Sequence, residues 1–284
     1  MKAARRALLA APFLFIRNAH AAAQGKFFRS SDGVRLHYTH NGNGPLLVFV
    51  PGWCMPARIF APQIAHFQQN FTVIAFDPRG QGQSAIPAQG YEPERRGRDI
   101  ADLLDQLPPG RVVLAGWSLG VLDALSWLDL KGDQRLAGLV LIDNSVGEAD
   151  PPPPRASNFF SNLRTKRDHT MRGFVRSMYR TPQDEAYLDA LSREAQRMPV
   201  EAAIKLLSYP RPREFWRQAL YSSRRPVFYA VTPRLRAQAE AVAARHPAPS
   251  VSIFEDAGHA LFVDRADRFN AELLRFLNHK AVWA

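Results

Sequence analysis

Ser118 lies in Gly116-Trp117-Ser118-Leu119-Gly120, and its setting could support nucleophilic catalysis. A serine hydroxyl is a weak nucleophile until a base takes its proton, and histidine has a pKa suited to accepting and returning one. Before the motif, Val112, Val113, Leu114 and Ala115 form a short apolar run that predicts a buried strand. After it, Leu119, Leu122 and Leu125 recur at helical spacing. Strand, tight turn and helix around G-x-S-x-G hold a serine hydroxyl exposed at the turn. The helix start also aims unpaired N–H groups and a positive dipole end at that point. Alone, Gly-x-Ser-x-Gly is an ordinary turn; the two flanking patterns make Ser118 the candidate nucleophile.

The chain has eight histidines. His37 and His40 fall in an N-terminal hairpin, His20 lies in an apolar leader, and His246 and His279 sit near helix ends, where a surface capping role is expected. His259 differs: it follows a strand end and Ala257-Gly258 and precedes Ala260-Leu261-Phe262, in a loop where carboxyl ends of strands gather. That makes it the candidate base. The single cysteine, Cys54, has no partner for an internal disulfide and reads as a small apolar filler. No Cys/His cluster offers a zinc site, and no cofactor or metal is expected.

These residues need a scaffold, and the chain of 284 residues fits one large domain or one domain carrying an insertion. Residues 1–23 stand apart: Lys2, Arg5 and Arg6, then the apolar run Ala7 to Ile16, then Ala19-His20-Ala21 as a small-x-small cleavage site. That is the order of a secretory signal peptide, with Arg5-Arg6 hinting at twin-arginine export, and it predicts a periplasmic or secreted protein. Phe27 to Tyr38 reads as a hairpin turned at Asp32-Gly33. Leu46 to Val50, Phe71 to Phe76, Val112 to Ala115 and Leu136 to Asp143 read as buried strands, with helices over Ile59 to Phe67 and Glu92 to Leu107 between them. The alternation stops near Pro151-Pro152-Pro153-Pro154, and residues 145–225 carry only short amphipathic helical stretches. It resumes with Pro226 to Val231, Arg234 to Arg245, Val251 to Phe254 and a final helix from Arg265 to Asn278. The expected class is α/β, a mostly parallel sheet flanked by helices. The expected division is a core at 24–144 and 226–284 with a helical cap at 145–225.

Four motifs come in a fixed order: a Pro51-Gly52-Trp53 loop after an early strand, the Asp77-Pro78-Arg79-Gly80-Gln81-Gly82-Gln83-Ser84 turn, the serine turn, and the late Gly258-His259. In this the chain resembles the α/β-hydrolases over nearly its whole length beyond residue 23. It is particularly similar to the carboxylesterase branch typified by pimeloyl-ACP methyl ester esterase, which shares the Gly-Trp-Ser-Leu-Gly elbow. The resemblance implies Ser118 as nucleophile, His259 as general base, and the backbone N–H groups of Trp53 and Leu119 as an oxyanion hole. Pro51 stands where the family usually has histidine; proline lacks an N–H, but the donor belongs to Trp53. Many relatives carry an aspartate after the strand that follows the cap, whereas Thr232-Pro233-Arg234-Leu235-Arg236 contains no carboxylate. Some carry it after the preceding strand, which favours Asp143 as the orienting acid. Asp256, Glu255 and a site with no acid remain as alternatives, because the acid orients and stabilises the imidazole without exchanging protons. Asp143 could also serve only to bond the loop before the cap. Asp77 and Arg79 are expected to tie down their own turn.

The expected function is that of a cofactor-free serine hydrolase acting on a small carboxylic ester through an acyl-enzyme. A lactonase, a C–C hydrolase or a perhydrolase would use the same three roles. A binding protein that kept the fold is the reading from another class, kept open by Pro51 and the missing post-cap acid. Haloalkane dehalogenation is disfavoured because its nucleophile is an aspartate. The formal net charge is +11; residues 1–23 hold four of the cations and no acid, which leaves +7. No nucleic-acid-binding signature accompanies that charge. Residues 145–225 contain fifteen Lys or Arg and nine Asp or Glu, a net of +6. The cap is thus either a solvated basic surface or a means of steering an anionic or amphiphilic substrate.

Overall fold

The computed structural model describes residues 24–150, 158–208 and 211–283, and the leader expected at residues 1–23 lies outside them. Eight strands form one sheet: β1 (Gln24–Arg29), β2 (Arg35–Asn41), β3 (Leu46–Val50), β4 (Thr72–Asp77), β5 (Val112–Trp117), β6 (Leu136–Ile142), β7 (Val227–Val231) and β8 (Pro249–Ile253). Their order is β1-β2-β4-β3-β5-β6-β7-β8. The β1–β2 and β2–β4 pairings are antiparallel, and every pairing from β4 through β3 to β8 is parallel. All residues of β3 to β7 are buried, as continuous apolar runs in a sheet covered on both faces must be. The α/β expectation therefore holds.

Outside the sheet lie α1 (Ala61–Phe67), α2 (Pro93–Asp105) and α3 (Leu119–Lys131). Residues 119–128 of α3 are buried without interruption, Asp123 and Ser126 included, so this helix is enclosed on every side and sits inside the molecule. The α2 helix covers it with one face, where the added Cβ of a residue at Gly97 would lie 2.9 Å from the Trp127 backbone nitrogen. Arg96 of α2 reaches Asp123 of α3 through Nε at 2.8 Å and Nη2 at 2.5 Å, both side chains almost fully buried. Asp77 at the end of β4 accepts from the N–H groups of Ala57 and Gln83 and pairs with His37, while the buried Arg79 bonds Asp99 and Asp32. Both therefore fasten the turn that contains them.

Between β6 and β7 the chain forms α4 (Phe159–Thr165), α5 (Arg167–Ser177), α6 (Glu185–Ala195), α7 (Val200–Leu206) and α8 (Arg213–Tyr221). These helices bury Leu163, Met171, Val175, Leu188, Leu191 and Trp216. After β7 come α9 (Arg236–Arg245), α10 (Leu261–Asp264), α11 (Ala266–Leu277) and α12 (Lys280–Trp283). His246 departs from the expected surface role. It caps the end of α9 but is only 4% exposed, and burial lowers its pKa. No helix of the described residues is long and apolar enough to cross a membrane.

Candidate active site

Ser118 sits where β5 ends and α3 begins, with φ 53° and ψ −121°. That conformation is sparsely populated by residues with a Cβ, at a cost of about 1–3 kcal/mol, and persists because the surroundings fix it on both sides. The Ser118 N–H donates to Ile142 O at 2.9 Å, and its carbonyl accepts from Asn144 Nδ2 at 2.7 Å. Gly120 is required by packing: a Cβ there would lie 2.3 Å from Val50 O. The missing side chain lets the start of α3 press against the end of β3 and the Pro51 carbonyl, which the same Cβ would meet at 2.8 Å. Leu119 is the first residue of α3, so its N–H has no intrahelical partner.

The structure sets one carboxylate against His259. Asp143 follows β6 at φ 47°, and its Oδ2 lies 2.7 Å from His259 Nδ1. Its other oxygen, Oδ1, accepts from the Thr232 N–H at 2.7 Å and from the Thr232 hydroxyl at 2.8 Å. The position after β7, where a carboxylate is missing from the sequence, thus holds a residue that serves Asp143. With Nδ1–H donating to the carboxylate, Nε2 is left as the basic nitrogen. The other two carboxylates are engaged elsewhere. Asp256 pairs with Arg265 Nε at 2.6 Å, which lowers its pKa, and the Glu255 side chain pairs with Arg236.

The loop carrying His259 is held from several directions. Trp117, the residue before Ser118, donates its Nε1–H to His259 O at 2.9 Å, and the two rings lie 5.2 Å apart. The Gly258 N–H donates to Asp264 and the Ala260 N–H to Met178 O. A Cβ on Gly258 would fall 2.6 Å from Met178 O, so the close approach of loop and cap explains the glycine before the histidine.

Pro51 to Met55 is wholly buried. Gln81 Nε2 donates to Gly52 O at 3.0 Å and to Met55 O at 2.9 Å. The second motif turn therefore supports the loop at the place where Pro51 replaces the family histidine. The Trp53 indole donates to Ala203 O of α7 at 2.7 Å and packs on Phe159 and Phe174 of α4 and α5. Burial pushes the Cys54 thiol up to about 12, so it stays protonated at neutral pH and is no nucleophile. Among the described residues, the non-glycine residues with positive φ are Cys54, Ser118, Asp143 and Ala149. Three of the four stand in this site, where strain of this kind accompanies a fixed functional geometry.

Beside Leu119 lies a mainly apolar cavity of about 130 Å³, walled by Tyr91, Leu119, Leu122, Leu206 and Trp216, with Lys205 and Glu92 also in its lining. Among the described residues, no group of three or more His, Cys, Asp or Glu side chains could hold a metal ion. Thr232, Gln81, Asn144 and Asp264 were not singled out from the sequence. Thr232 carried one usable signal, its place directly after the strand that follows the cap.

A model described as the alpha/beta hydrolase family matches residues 47–272. The chain belongs to this family. It is 36% identical over 93 residues to a 2-(acetamidomethylene)succinate hydrolase of Mesorhizobium japonicum, an overlap covering 33% of this chain and 34% of that one. It is 30% identical over 131 residues to 3-oxoadipate enol-lactonase 2 of Acinetobacter baylyi, covering 45% of this chain and 49% of the other. The aligned stretches thus span between a third and a half of these relatives. An esterase of Exiguobacterium antarcticum superposes with a TM-score of 0.77 at 19% identity, over 89% of this chain and 99% of that one. At that identity the likeness is one of fold.

Proposed function

We propose that the protein is a serine hydrolase that cleaves a small carboxylic ester through an acyl-enzyme on Ser118. The observation that carries this reading is the 2.7 Å Asp143–His259 contact on a loop pinned to Trp117, the immediate neighbour of Ser118. In the proposed reaction Ser118 Oγ attacks the ester carbonyl while His259 Nε2 takes its proton. The carbonyl oxygen becomes an oxyanion facing the Trp53 and Leu119 N–H groups. Collapse breaks the carbon–oxygen bond, and the imidazolium returns its proton to the departing alkoxide. Water then repeats the sequence on the acyl-enzyme, releasing the acid and Ser118. No cofactor takes part.

The cavity beside Leu119 supports a compact apolar group on the substrate, since a void of about 150 Å³ lined by apolar side chains accepts benzene. The relatives named for a succinate derivative and an oxoadipate lactone, together with the basic cap, favour a substrate that also bears a carboxylate. A lactone is a cyclic ester, and its opening would follow the same steps with the alcohol retained on the acyl chain. We also propose export, for which residues 1–23 are the support; a mature protein recovered from the periplasm with an N-terminus near residue 22 would test it.

Intact-mass labelling with a fluorophosphonate tests the chemistry without a choice of substrate. One adduct is expected on the wild type and none on Ser118→Ala. Asp143→Asn should label about 1,000- to 10,000-fold more slowly, by the loss seen when a triad aspartate elsewhere is neutralised. Unchanged labelling of Asp143→Asn would remove Asp143 from the triad. Failure of the folded wild type to label would favour a binding protein.

A further inference from the structure

Asp264 is buried, 8% exposed, at the end of α10. Its Oδ2 accepts from the Gly258 N–H at 2.7 Å and from the Arg180 N–H at 2.7 Å. Its Oδ1 accepts from the Thr181 N–H at 3.1 Å and the Thr181 hydroxyl at 2.5 Å. Gly258 adjoins His259, whereas Arg180 and Thr181 belong to the cap, in the connection between α5 and α6. On the other side of His259, the Ala260 N–H donates to Met178 O at 2.8 Å. A third link runs from Arg180 Nη1 to Glu255 O at 2.7 Å. Residues on both flanks of His259 are therefore bonded to one short cap segment, 178–181. Among the described residues, no cationic side chain pairs with the Asp264 carboxylate; backbone N–H groups and one hydroxyl meet its charge. An acid buried without a counter-charge is there to gather donors. The donors it gathers come from the two segments that must meet if the base is to be placed.

We propose that Asp264 is a positioning residue that latches the His259 loop to the cap, so that the base is aligned only while the cap is docked. The role as base rests on the serine-hydrolase reading above; the latch itself does not. The cap already holds the other half of the site, through the Trp53 indole and Ala203 O. Docking of the cap thus sets the candidate oxyanion donor and the candidate base together.

The test uses the full chain with Asp264→Ala, Asp264→Asn and the milder Thr181→Val, which removes only the hydroxyl donor. Hydrogen exchange read by mass spectrometry follows peptides covering 178–181 and 257–260. Both should lose protection together in the Asp264 variants, with β5 and β6 unchanged. On p-nitrophenyl acetate, kcat should fall about 10- to 100-fold with KM within about threefold, the pattern of a misplaced group rather than a lost binding contact. Thr181→Val should show a smaller fall of the same kind, and it decides the matter if Asp264→Ala does not fold. A folded Asp264→Asn or Thr181→Val with wild-type kcat and wild-type protection at 257–260 would overturn the latch. Fluorophosphonate labelling of the wild type tests the underlying chemistry separately: if Ser118 does not react, that reading fails, and the exchange data still decide whether Asp264 joins loop to cap.

Discussion

Gln81 shows how a residue remote from the reacting atoms can shape the site. Its amide bonds the carbonyls of Gly52 and Met55, on either side of Trp53 and Cys54, and holds open a loop that includes Cys54 at φ 58°. Gln81→Leu keeps the volume and removes both bonds, leaving the Met55 carbonyl without this donor. It should destabilise the fold by about 1–3 kcal/mol in urea unfolding, the penalty for an unsatisfied buried polar group. It should also lower kcat by about 10- to 100-fold, short of deleting an oxyanion donor outright. Unchanged kcat in a measurably destabilised variant would limit Gln81 to a structural role. The sequence marks Ser118 and His259 because each stands in a short motif with a recognisable flank. It favours Asp143 but leaves Asp256 and Glu255 open, because whether a carboxylate 116 residues away meets the imidazole depends on strand order and loop direction. Gln81, Thr232 and Asp264 act through two or more hydrogen bonds each, most of them to groups far off in the chain, and leave no local pattern.

At the level of elements, the sheet was legible because fully buried parallel strands are short apolar runs, and β3 to β7 are such runs. How the helices attach to the sheet was not. The contact of α2 with α3 includes the Arg96–Asp123 pair, whose members sit 27 positions apart among many charges. Burial raises the Asp123 pKa, and the Arg96 guanidinium opposes that shift. Asp123→Ala leaves a buried guanidinium uncompensated and should cost about 3–5 kcal/mol in denaturant unfolding. Replacing both, as Arg96→Met with Asp123→Leu, should recover most of that loss, since well-packed apolar pairs of similar volume often match a buried ion pair. If the double variant is as unstable as Asp123→Ala, the pair contributes through hydrogen-bond geometry that apolar packing does not replace. The cap helices are short and amphipathic, so their periodicity shows that they pack but not on which partners.

Over the whole molecule, the cap's excess of cations has to be weighed against the pairs it forms. Arg164, Arg172, Arg176 and Arg217 are matched by Glu201, Asp168, Asp189, Glu185 and Glu214, pairs that contribute little to stability at an exposed surface. Arg211 is paired with Glu94 of α2. Arg193, Arg197 and Lys205 form no ion pair with a carboxylate among the described residues, and Lys205 lines the apolar cavity together with Glu92. Unpaired charge of this kind acts on an approaching ligand rather than on the fold, and it acts through solvent, where the screening length shrinks from about 30 Å at 0.01 M salt to about 3 Å at 1 M. Two esters of matched size, one neutral and one bearing a carboxylate, separate this effect from the chemistry. Raising salt from about 0.01 M to 0.5 M should lower kcat/KM for the anionic ester by about three- to tenfold and for the neutral ester by less than about twofold. Lys205→Met should remove part of the salt dependence while leaving the neutral ester's kcat unchanged. Equal salt dependence for both esters would mean that the cap's charge is a solvated surface with no part in choosing the substrate.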